Sequence, residues 1–390
     1  MRFGSLNSYL DKQAKLLEQG RSLILPVMDD PKGITSRISS EIKLTKGRYL
    51  LVPGPSGTGK TAWVDTMLIK LYLSWKLNGG PKPYVIYRSM ERPGIYKEAK
   101  WKAMLLYYDT GQVVTVDQIL GIDPKVQLAP STLSKLRAYT DVLDEMRTDC
   151  LDFKEGVVSP NEALRYAESV VRQAGIVIES NDKQVFGDGH LYHTFTDFEE
   201  VGDVRRYFWD CRWGRIYQNE KLFFPDDDTH YFHVSDTIQK YGEDKGVLDN
   251  HASNMGDVWR DLYGGIVIDI SQLNRDIFDT YRQMKTTLTM KESDIKGSNV
   301  MVQNADYIVG ILDPTSFGYK SFEGFDLEKL SDSFGNTRFR ALICVKNSWG
   351  KKGWIQGLMF IGENGWTWEL PSELSYNDYE RIVGLKWKPQ

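Results

Sequence analysis

Short apolar runs alternate with longer segments of helical periodicity along most of this chain. The apolar runs are too short for helices and suit buried strands; they cover 49–52, 84–87, 231–234, 265–270, 307–312 and 340–345. Between them, apolar residues recur with the spacing of one helix face at 60–77, 94–106, 131–149, 160–174 and 247–262. Because strands that alternate with helices form parallel sheets covered on both faces, the pattern predicts a mostly parallel, doubly wound α/β fold.

One stretch breaks this alternation. Residues 176–228 are rich in aromatic residues, glycine and aspartate, and their short alternating runs are typical of β-hairpins. The predicted organisation is a first core segment (25–175), a β-rich insertion (176–228) and a second core segment (229–370). Residues 1–24 form a linker whose amphipathic helix (5–19) suits packing on its own domain or on a neighbouring subunit equally well. Residues 371–390 are predicted to form a C-terminal tail.

The composition is that of an ordinary globular protein. Of the 390 residues, 41% are hydrophobic and 26% are charged. No apolar run approaches the roughly 20 residues that cross a bilayer, and the N-terminus has no leader-like apolar segment. Three widely separated cysteines suggest no disulfide framework. These features predict a cytoplasmic protein (in the host cytoplasm if the source is viral) without a membrane partner. Because the net charge is −4, any nucleic acid would need a local basic patch.

The segment between the first strand and the first long helix matches the phosphate-binding P-loop pattern G-x-x-x-x-G-K-[ST]. It comprises Gly54, Pro55, Ser56, Gly57, Thr58, Gly59, Lys60 and Thr61. Glycines let backbone N–H groups approach phosphate oxygens, and the N-terminus of the following helix adds partial positive charge. Lys60 would neutralise the β- and γ-phosphates, and the Thr61 hydroxyl would ligate Mg²⁺. The predicted cofactors are therefore ATP and Mg²⁺.

Four later predicted strands end in side chains suited to phosphate chemistry. These side chains are Glu91, Asp236, Gln272 and Lys346. Ligands of open α/β sheets bind at the carboxyl ends of the strands, so the four residues are candidates for the nucleotide site.

The residues around these strand ends resemble the DnaB-like replicative helicases. Ser89-Met90-Glu91-Arg92 is similar to that family's Ser-Leu-Glu-Met, and Asp236-Thr237-Ile238-Gln239 is similar to its Asp-Tyr-Leu-Gln. Ser271-Gln272-Leu273-Asn274-Arg275 matches the family's Ser-Gln-Leu-Asn-Arg without change. Gln303-Asn304-Ala305-Asp306 is similar to the family's Gln-Asp-Ala-Asp. The motifs occur in the family's order, and the resemblance covers residues 25–370 apart from the insertion.

The resemblance implies a RecA-like ATPase core and gives each strand end a role. Glu91 would be the general base for the attacking water, Gln272 would contact the γ-phosphate, and Asp236 would hold Mg²⁺ through water. Asp269 also ends an apolar run, but the Ser-Gln-Leu-Asn-Arg motif follows it directly, which favours Asp236 as the magnesium residue. Lys346 would reach the γ-phosphate bound by the neighbouring subunit of a homo-oligomer, expected to be a hexameric ring.

The same resemblance makes the polar loop after Gln272 the element that binds single-stranded DNA. In the family, the matching loop lines the central channel and holds the phosphates of the strand. The basic residues of this loop are Arg275, Arg282, Lys285, Lys291 and Lys296. Without the resemblance, such a run of charges is more typical of a solvated loop.

The chain departs from the family pattern in three places. Ser348 stands where the family has an arginine that reaches the nucleotide of the neighbouring subunit. Either Lys346 is sufficient without that arginine, or turnover is slow, or another basic residue takes its place. The candidates for that place are Lys351, Lys352, Arg338 and Arg340. Lys296-Gly297 replaces an Arg-Glu pair of the channel loop. The sequence is also expected to lack the family's N-terminal primase-interacting domain, a form that would suit a phage and that leaves any loader or primase unidentified.

The expected activity is that of an ATP-dependent DNA helicase motor in DNA replication. One alternative is a RecA-like ATPase that remodels recombination or replication intermediates without unwinding. The other is a nucleotide-gated assembly protein with negligible turnover. Hydrolysis stimulated by single strands, with displacement of a forked duplex, would indicate the helicase. Hydrolysis without displacement would indicate the remodeller, and binding without turnover would indicate the assembly protein.

Overall fold

The structure is a computed structural model of the chain. It describes residues 25–79, 82–122, 127–174, 229–242, 244–261, 263–278, 288–297 and 299–387, together with the backbone of short strands between 176 and 224. The helix predicted at 5–19 lies outside the described residues, as does the part of the polar loop from 279 to 287.

A nine-stranded sheet forms the centre of the molecule. Its strands lie in the order β18 (Thr367–Glu369), β17 (Ile355–Phe360), β16 (Phe339–Asn347), β13 (Tyr307–Leu312), β1 (Tyr49–Pro53), β12 (Ile266–Ser271), β11 (Thr229–Ser235), β2 (Lys82–Ser89) and β3 (Leu151–Glu155). The six strands from β13 to β3 are parallel, whereas β16, β17 and β18 are antiparallel to their neighbours. The prediction of a mostly parallel α/β sheet is confirmed.

The strand order brings the predicted strand ends together. β1, which precedes the P-loop, pairs with β12, β12 pairs with β11, and β11 pairs with β2. Because all four strands run in the same direction, their carboxyl ends lie at one edge of the sheet. The P-loop therefore lies at the edge where β2, β11 and β12 also end.

The helices connect these strands. They are α1 (Arg37–Glu41), α2 (Lys60–Asn78), α3 (Gly94–Thr110), α4 (Val116–Ile119), α5 (Pro130–Asp149), α6 (Pro160–Ala174), α7 (Lys245–Ser253), α8 (Asn299–Asn304) and α9 (Tyr376–Val383). α2 ends where the sequence predicts, at Gly79, whose φ of +65° suits glycine. α6 begins at Pro160, where the Ser159 hydroxyl accepts a hydrogen bond from the backbone N–H of Glu162 at 3.2 Å.

α2 is buried on almost all sides, which explains why its apolar residues are not confined to one face. Trp63, Val64 and Met67 are at most 1% exposed. The antiparallel end of the sheet also packs on this helix, because the Thr66 hydroxyl accepts a hydrogen bond from Thr367 N of β18 at 3.3 Å. The N-terminus of α2 is thereby fixed at the carboxyl edge of the sheet, with the P-loop before it.

α7 continues into one stretch of π-helix, Asn254–Arg260, before the chain enters β12. Trp259 of this stretch is fully buried, and a Cβ on Gly265 would lie 2.3 Å from its indole nitrogen. Only glycine fits at position 265, so the turn into β12 and the packing of Trp259 depend on each other.

Short antiparallel strands occupy the stretch between α6 and β11. β4 (Ile176–Asn181), β5 (Gln184–Gly187), β6 (His190–Thr194) and β10 (Lys221–Phe224) form one small sheet. β7 (Phe198–Val201), β8 (Val204–Phe208) and β9 (Arg215–Tyr217) form another. β14 (Ser321–Phe322) and β15 (Phe325–Asp326) make a separate hairpin after β13.

The C-terminal stretch after residue 370 contains a helix. Residues after 370 form α9, whose Ile382 is fully buried, and the Tyr107 hydroxyl donates a hydrogen bond to Trp387 O at 3.0 Å. The end of the described chain is therefore joined to α3 by this hydrogen bond, and the burial of Ile382 and Trp387 stabilises its position. Within the described part of the chain, no helix is both long and apolar enough to cross a membrane.

Candidate nucleotide site at the carboxyl edge of the sheet

The P-loop adopts a tight turn that depends on glycine. Gly57 and Gly59 have φ values of +78° and +91°, the left-handed region that L-residues with a side chain rarely adopt. A Cβ at Gly59 would also lie 3.0 Å from the ring of Phe360. The turn holds the N-terminus of α2 open toward solvent, as phosphate binding at a helix N-terminus requires.

Two side chains of the loop turn inward onto one backbone carbonyl. The Lys60 amine and the Thr58 hydroxyl donate hydrogen bonds to Pro55 O at 2.7 and 2.9 Å. Burial lowers the pKa of Lys60 to about 8, and the nearby Glu91 carboxylate limits this decrease. Burial therefore disfavours the charged form of Lys60 inside the loop, and phosphate oxygens would stabilise that charge.

A cavity of about 540 Å³ opens in front of this loop. Lys60 and Thr61 line it together with Glu91, Asp236 and Gln272, the residues at or just after the ends of β2, β11 and β12. Three of the four strand-end side chains predicted from the sequence therefore share one cavity with the P-loop. Its volume is in the range of pockets that hold small-molecule ligands and cofactors.

Asp236 and Glu91 have very different environments in this cavity. Asp236 is 3% exposed and accepts hydrogen bonds from Met90 N at 2.8 Å and from the Ser89 hydroxyl at 3.0 Å. Its burial raises the pKa of its carboxyl above the ordinary value. Glu91 is exposed. A buried, oriented carboxylate suits a fixed position near a cation, and an exposed one suits contact with water.

Residues with oxygen atoms suited to Mg²⁺ are present at the expected places. The Thr61 hydroxyl and the Asp236 carboxylate both line the cavity, and each Asp236 oxygen receives one hydrogen bond and keeps a free lone pair. Magnesium bound with a nucleotide usually has one or two protein ligands and several waters. Accordingly, no cluster of three or more His, Cys, Asp or Glu side chains suited to a metal occurs among the described residues.

Gln272 lies within a small network that joins neighbouring strand ends. Its backbone N–H donates a hydrogen bond to the side-chain oxygen of Gln239 at 3.1 Å. The side-chain nitrogen of Gln239 donates hydrogen bonds to the Ser271 hydroxyl at 2.8 Å and to Lys296 O at 3.0 Å. Gln239 was not among the predicted site residues, although it stands at the end of the motif that contains Asp236.

The polar loop after Gln272 leaves and returns at the same place. Lys296 N donates a hydrogen bond to Gln272 O at 2.9 Å, and Asn274 N donates one to Asp294 O at 2.6 Å. Leu273 and Ile295 form an isolated antiparallel bridge. The two ends of the loop are therefore joined beside the residue predicted to contact the γ-phosphate.

The predicted DNA-binding residues are described to different extents. Lys291 is exposed and Lys296 is half-buried at the returning end of the loop. Arg275 lies in a short 3₁₀ turn of which the backbone is described. Arg282 and Lys285 lie outside the described residues.

Asp269, the alternative magnesium residue, does not lie in the cavity. It is fully buried within β12, where its carboxylate accepts a hydrogen bond from the Tyr49 hydroxyl at 2.5 Å and faces His251 Nε2 at 2.8 Å. Burial alone would raise the pKa of Asp269, but His251 and these hydrogen bonds outweigh it and hold the pKa below the ordinary value. This carboxylate links β1 to α7.

Lys346 lies apart from the other candidates. It is half-buried on β16, and its amine donates hydrogen bonds to Val302 O and Gln303 O, both at 2.9 Å. Burial lowers its pKa. Lys346 is absent from the residues that line the cavity of its own chain. Ser348 is exposed two residues further on.

The residues considered as substitutes for the missing arginine fall into two groups. Arg338 forms a bidentate pair with Glu363 at 2.7 and 2.8 Å, and Arg340 lies 3.3 Å from Asp313. Both arginines are largely buried. Lys351 and Lys352 are exposed. The two lysines are therefore better placed than the arginines to reach a neighbouring subunit.

The sequence interpretation missed two parts of the cavity wall. One is a buried charge cluster in which Lys97 and Lys100 of α3 share the carboxylate of Asp65, at 2.9 and 3.0 Å. The other is the turn after β17, where Glu363 and Asn364 line the cavity. The turn could have been found from the alternating run 355–360 followed by Gly-Glu-Asn-Gly, a hairpin signal. The charge cluster had no such signal, because its residues are distant in sequence.

Many solved structures share this architecture, and two of them are compared with this chain. One is the structure of an ATPase domain, which matches with a TM-score of 0.57 and 15% sequence identity, over 95% of this chain and 100% of that chain. A DnaB-like replicative helicase, described with its interactions with primase, matches with a TM-score of 0.52 and 14% identity over 83% of this chain. This chain spans 57% of the length of that helicase. The chain has the fold of a DnaB-like helicase ATPase domain. The RecA-like architecture implied by the motifs is thereby confirmed. No protein-family model and no curated protein matches the sequence.

Proposed function

We propose that this protein is an ATP-driven DNA helicase motor that moves along single-stranded DNA as a ring of identical subunits, six in number, during DNA replication. The observation that carries the proposal is the convergence of the P-loop, Glu91, Asp236 and Gln272 on one cavity, with a basic loop that begins and ends beside Gln272. A site for nucleotide hydrolysis and a candidate contact for a nucleic acid are thus adjacent in one fold.

The proposed hydrolysis uses the residues of the cavity in distinct roles. Lys60 would exchange Pro55 O for phosphate oxygens. Thr61 and Asp236 would hold Mg²⁺, which would supply charge neutralisation. Glu91 accepts a proton from water as the water oxygen attacks the γ-phosphorus. The bond between that phosphorus and the bridging oxygen of ADP then breaks, and the products are ADP and inorganic phosphate. The exposed position of Glu91 leaves room for the attacking water.

The Gln272 network supports coupling between hydrolysis and the basic loop. When the γ-phosphate leaves, the Gln272 side chain would lose its contact with it. Two hydrogen bonds would pass a shift of the Gln272 backbone to its neighbours: Lys296 N donates to Gln272 O at 2.9 Å, and Gln272 N donates to the Gln239 side chain at 3.1 Å. The two ends of the loop are joined at this point, so a small displacement of Gln272 would reach both of them. Arg275, Arg282, Lys285, Lys291 and Lys296 would hold the phosphates of the strand, with an affinity that falls steeply with salt.

The position of Lys346 supports a site completed by a neighbour. Its amine lies outside the cavity of its own chain and is held by two carbonyls at 2.9 Å. In the proposed ring, Lys346 points toward the nucleotide of the next subunit, as a cationic finger supplied in trans does in other phosphoryl-transfer enzymes.

The proposal is tested by measuring ATP hydrolysis, with and without a single-stranded oligonucleotide, and displacement of a forked duplex. We expect stimulation by the oligonucleotide and displacement with the unmodified protein. Glu91→Gln should abolish both, whereas Glu373→Gln, an exposed carboxylate outside the cavity, should leave both unchanged. Hydrolysis without displacement would replace the helicase by a remodelling ATPase. Nucleotide binding without turnover would leave a nucleotide-gated assembly protein.

A further inference from the structure

Most of the positive charge around the P-loop cavity is already bound by groups of the protein. The basic side chains that line the cavity among the described residues are Lys60, Arg92, Lys97 and Lys100. Lys60 donates to Pro55 O at 2.7 Å, and the amines of Lys97 and Lys100 lie 2.9 and 3.0 Å from the Asp65 carboxylate. The Arg92 side chain is exposed and has no hydrogen bond or ion pair within the part of the chain that the structure describes. An anion in the cavity could therefore bind Arg92 without breaking a contact in the protein.

The backbone that carries Arg92 is fixed on both sides. Before it, Met90 N donates a hydrogen bond to Asp236 at 2.8 Å, and the Ser89 hydroxyl donates one to Arg92 O at 3.0 Å. After it, Pro93 restricts Arg92 to an extended backbone and stands directly before the first residue of α3. The guanidinium is therefore free, but the backbone from which it extends is held beside the buried Asp236.

A bend presents Arg92 and Glu91 to the same cavity. Within a strand, consecutive side chains point to opposite faces. β2 ends at Ser89, residues 90–92 form a bend, and both Glu91 and Arg92 line the cavity. Their Cα atoms are about 3.8 Å apart, as in any pair of consecutive residues. A guanidinium is thus available next to the carboxylate that we propose as the general base.

The proposed reaction needs such a cation near the γ-phosphate. Negative charge is spread over the γ-phosphoryl oxygens in the transition state, and related enzymes stabilise it with an arginine supplied in trans or in cis. In the DnaB-like helicases that the motifs resemble, the position of Ser348 holds an arginine and the position of Arg92 holds a methionine. This chain therefore lacks an arginine at the first position and has one inside the cavity at the second.

Arginine is better suited to this role than the lysine that remains on β16. A guanidinium is planar and can donate two parallel hydrogen bonds to a phosphate, whereas an ammonium is a compact point charge. The Lys346 amine must also leave two carbonyls at 2.9 Å before it can bind another group. Arg92 has no such contact to give up among the described residues.

We propose that Arg92 is a catalytic residue that binds the γ-phosphoryl oxygens of the nucleotide in the cavity of its own subunit. Its N–H groups donate to these oxygens as the water oxygen bonds to phosphorus and the bond to the bridging oxygen of ADP breaks. The proton of the water goes to Glu91, and Arg92 stays charged throughout. Arg92 thereby supplies in cis the guanidinium that Ser348 does not supply in trans. The inference rests on the proposed function.

Arg92→Ala tests the catalytic role through the separation of rate from binding. The turnover number for ATP should fall about 100-fold or more, because arginine fingers contribute about 10³–10⁵ in related enzymes. The affinity for ATP should change less than about fivefold, because the contact is strongest in the transition state. Binding of ADP with aluminium fluoride, which mimics the transferred phosphoryl group, should weaken about as much as the turnover falls. Arg137→Ala, which removes an exposed arginine on α5 outside the cavity, is the matched control and should change none of these quantities.

Mixed rings test whether Arg92 acts in its own subunit. Arg92→Ala subunits are mixed with Lys60→Ala subunits, and co-purification of a tagged variant first establishes that the subunits exchange. Only the Arg92→Ala subunits then have an intact P-loop, and only the Lys60→Ala subunits have the arginine. We expect the mixture to hydrolyse ATP no faster than its Arg92→Ala subunits do alone. A recovered rate would show that Arg92 reaches the neighbouring nucleotide and would overturn the assignment in cis.

The other outcomes separate this inference from the proposed function. Hydrolysis by Arg92→Ala at the original rate would overturn the inference and leave the nucleotide site intact. An equal loss of ATP binding and of turnover would also overturn it, because Arg92 would then only attract the nucleotide. Binding of ATP without turnover by the unmodified protein would overturn the proposed function itself.

Discussion

Replacing Asp236 and Asp269 separately by asparagine distinguishes a carboxylate that acts on the nucleotide from one that holds the sheet together. Both side chains are buried, both lie on neighbouring parallel strands or just after them, and both are preceded by apolar runs. They differ in what their oxygens contact. The expected effects of the two substitutions on stability and on hydrolysis are therefore opposite.

Asp236→Asn should leave the free energy of unfolding almost unchanged. Asparagine can still accept the hydrogen bond from Met90 N. The Ser89 hydroxyl lies 3.0 Å from Arg92 O as well as from Asp236, so it can donate to that carbonyl and accept from the new amide. Burial raises the pKa of Asp236, which means that folding disfavours its charged form, and a neutral side chain removes this cost. Hydrolysis should nevertheless fall about 100-fold or more, because the position of Mg²⁺ is worth several kcal/mol.

Asp269→Asn should do the reverse. The carboxylate is fully buried and contacts His251 at 2.8 Å and Tyr49 at 2.5 Å, and its pKa is held low by these groups. Both contacts are made to one carboxylate oxygen, which asparagine can replace, but its amide nitrogen would stand where the other oxygen is buried without a partner among the described residues. Because an unsatisfied buried donor costs about 1–3 kcal/mol, we expect a loss of about 2 kcal/mol in the free energy of unfolding. Hydrolysis per folded molecule should stay near the original rate, because Asp269 lies outside the cavity.

Urea unfolding followed by tryptophan fluorescence measures the first quantity, and phosphate release from ATP measures the second. Asp141→Asn, exposed on α5, controls for the change of charge. If Asp236→Asn hydrolyses ATP at the original rate while Asp269→Asn is stable and inactive, the assignment of the two strands is wrong. If both variants lose stability and activity together, the distinction between the two environments is refuted.

Three further predictions concern single groups. The affinity for ATP should fall about tenfold per pH unit above pH 8. Lys60 has a pKa of about 8 in the free protein, so above that pH it must take up a proton in order to bind phosphate. Nucleotide titrations between pH 7 and 10 measure the affinity, and Lys60→Ala should remove its pH dependence. Burial lowers the pKa of His233 to about 3, below its ordinary value near 6.5. Between these two pKa values the unfolded chain therefore binds more protons than the folded chain. The free energy of unfolding should fall by about 2 kcal/mol from pH 6.5 to pH 5. Urea unfolding at both pH values measures this decrease, which should be smaller in His233→Gln. Lys346→Ala should reduce hydrolysis about 1,000-fold with unchanged ATP binding. Lys135→Ala, at an exposed position on α5, is the control and should affect neither quantity. Steady-state rates and nucleotide titrations measure both.

The parallel core was predictable because its strands are apolar on both faces and its helices separate them regularly. Parallel strands end at one edge, so the order of motifs along the chain was enough to expect Glu91, Asp236 and Gln272 close together. The strand order then explains the ambiguity between Asp236 and Asp269. Both follow apolar residues in sequence, but Asp269 pairs with Leu51 inside the sheet, whereas Asp236 follows the end of β11.

The wall formed by Glu363 and Asn364 was not predictable in the same way. It depends on the antiparallel strands β16, β17 and β18, which return along the sheet from far along the chain and place a turn over the P-loop. Asp65, Lys97 and Lys100 belong to helical patterns, in which charged residues usually face water. Packing of α3 and α2 instead buries Asp65 completely, and two cations are needed to hold its charge there.

The sheet order also explains why Lys346 stands apart from the other candidate residues. β16 is two strands from β1 on one side, whereas β12, β11 and β2 follow β1 on the other side. Neighbouring strands are about 4.8 Å apart, so Lys346 begins roughly 10 Å from the P-loop strand and away from Asp236 and Gln272. In the proposed ring, this side of the sheet faces the neighbouring nucleotide.

Trp349, close to Lys346 in sequence, is 60% exposed, and Arg48 is stacked on its ring at 3.9 Å. Tryptophan and arginine are enriched at protein interfaces. A subunit contact on this surface would cover the exposed indole and bring Lys346 to its proposed partner.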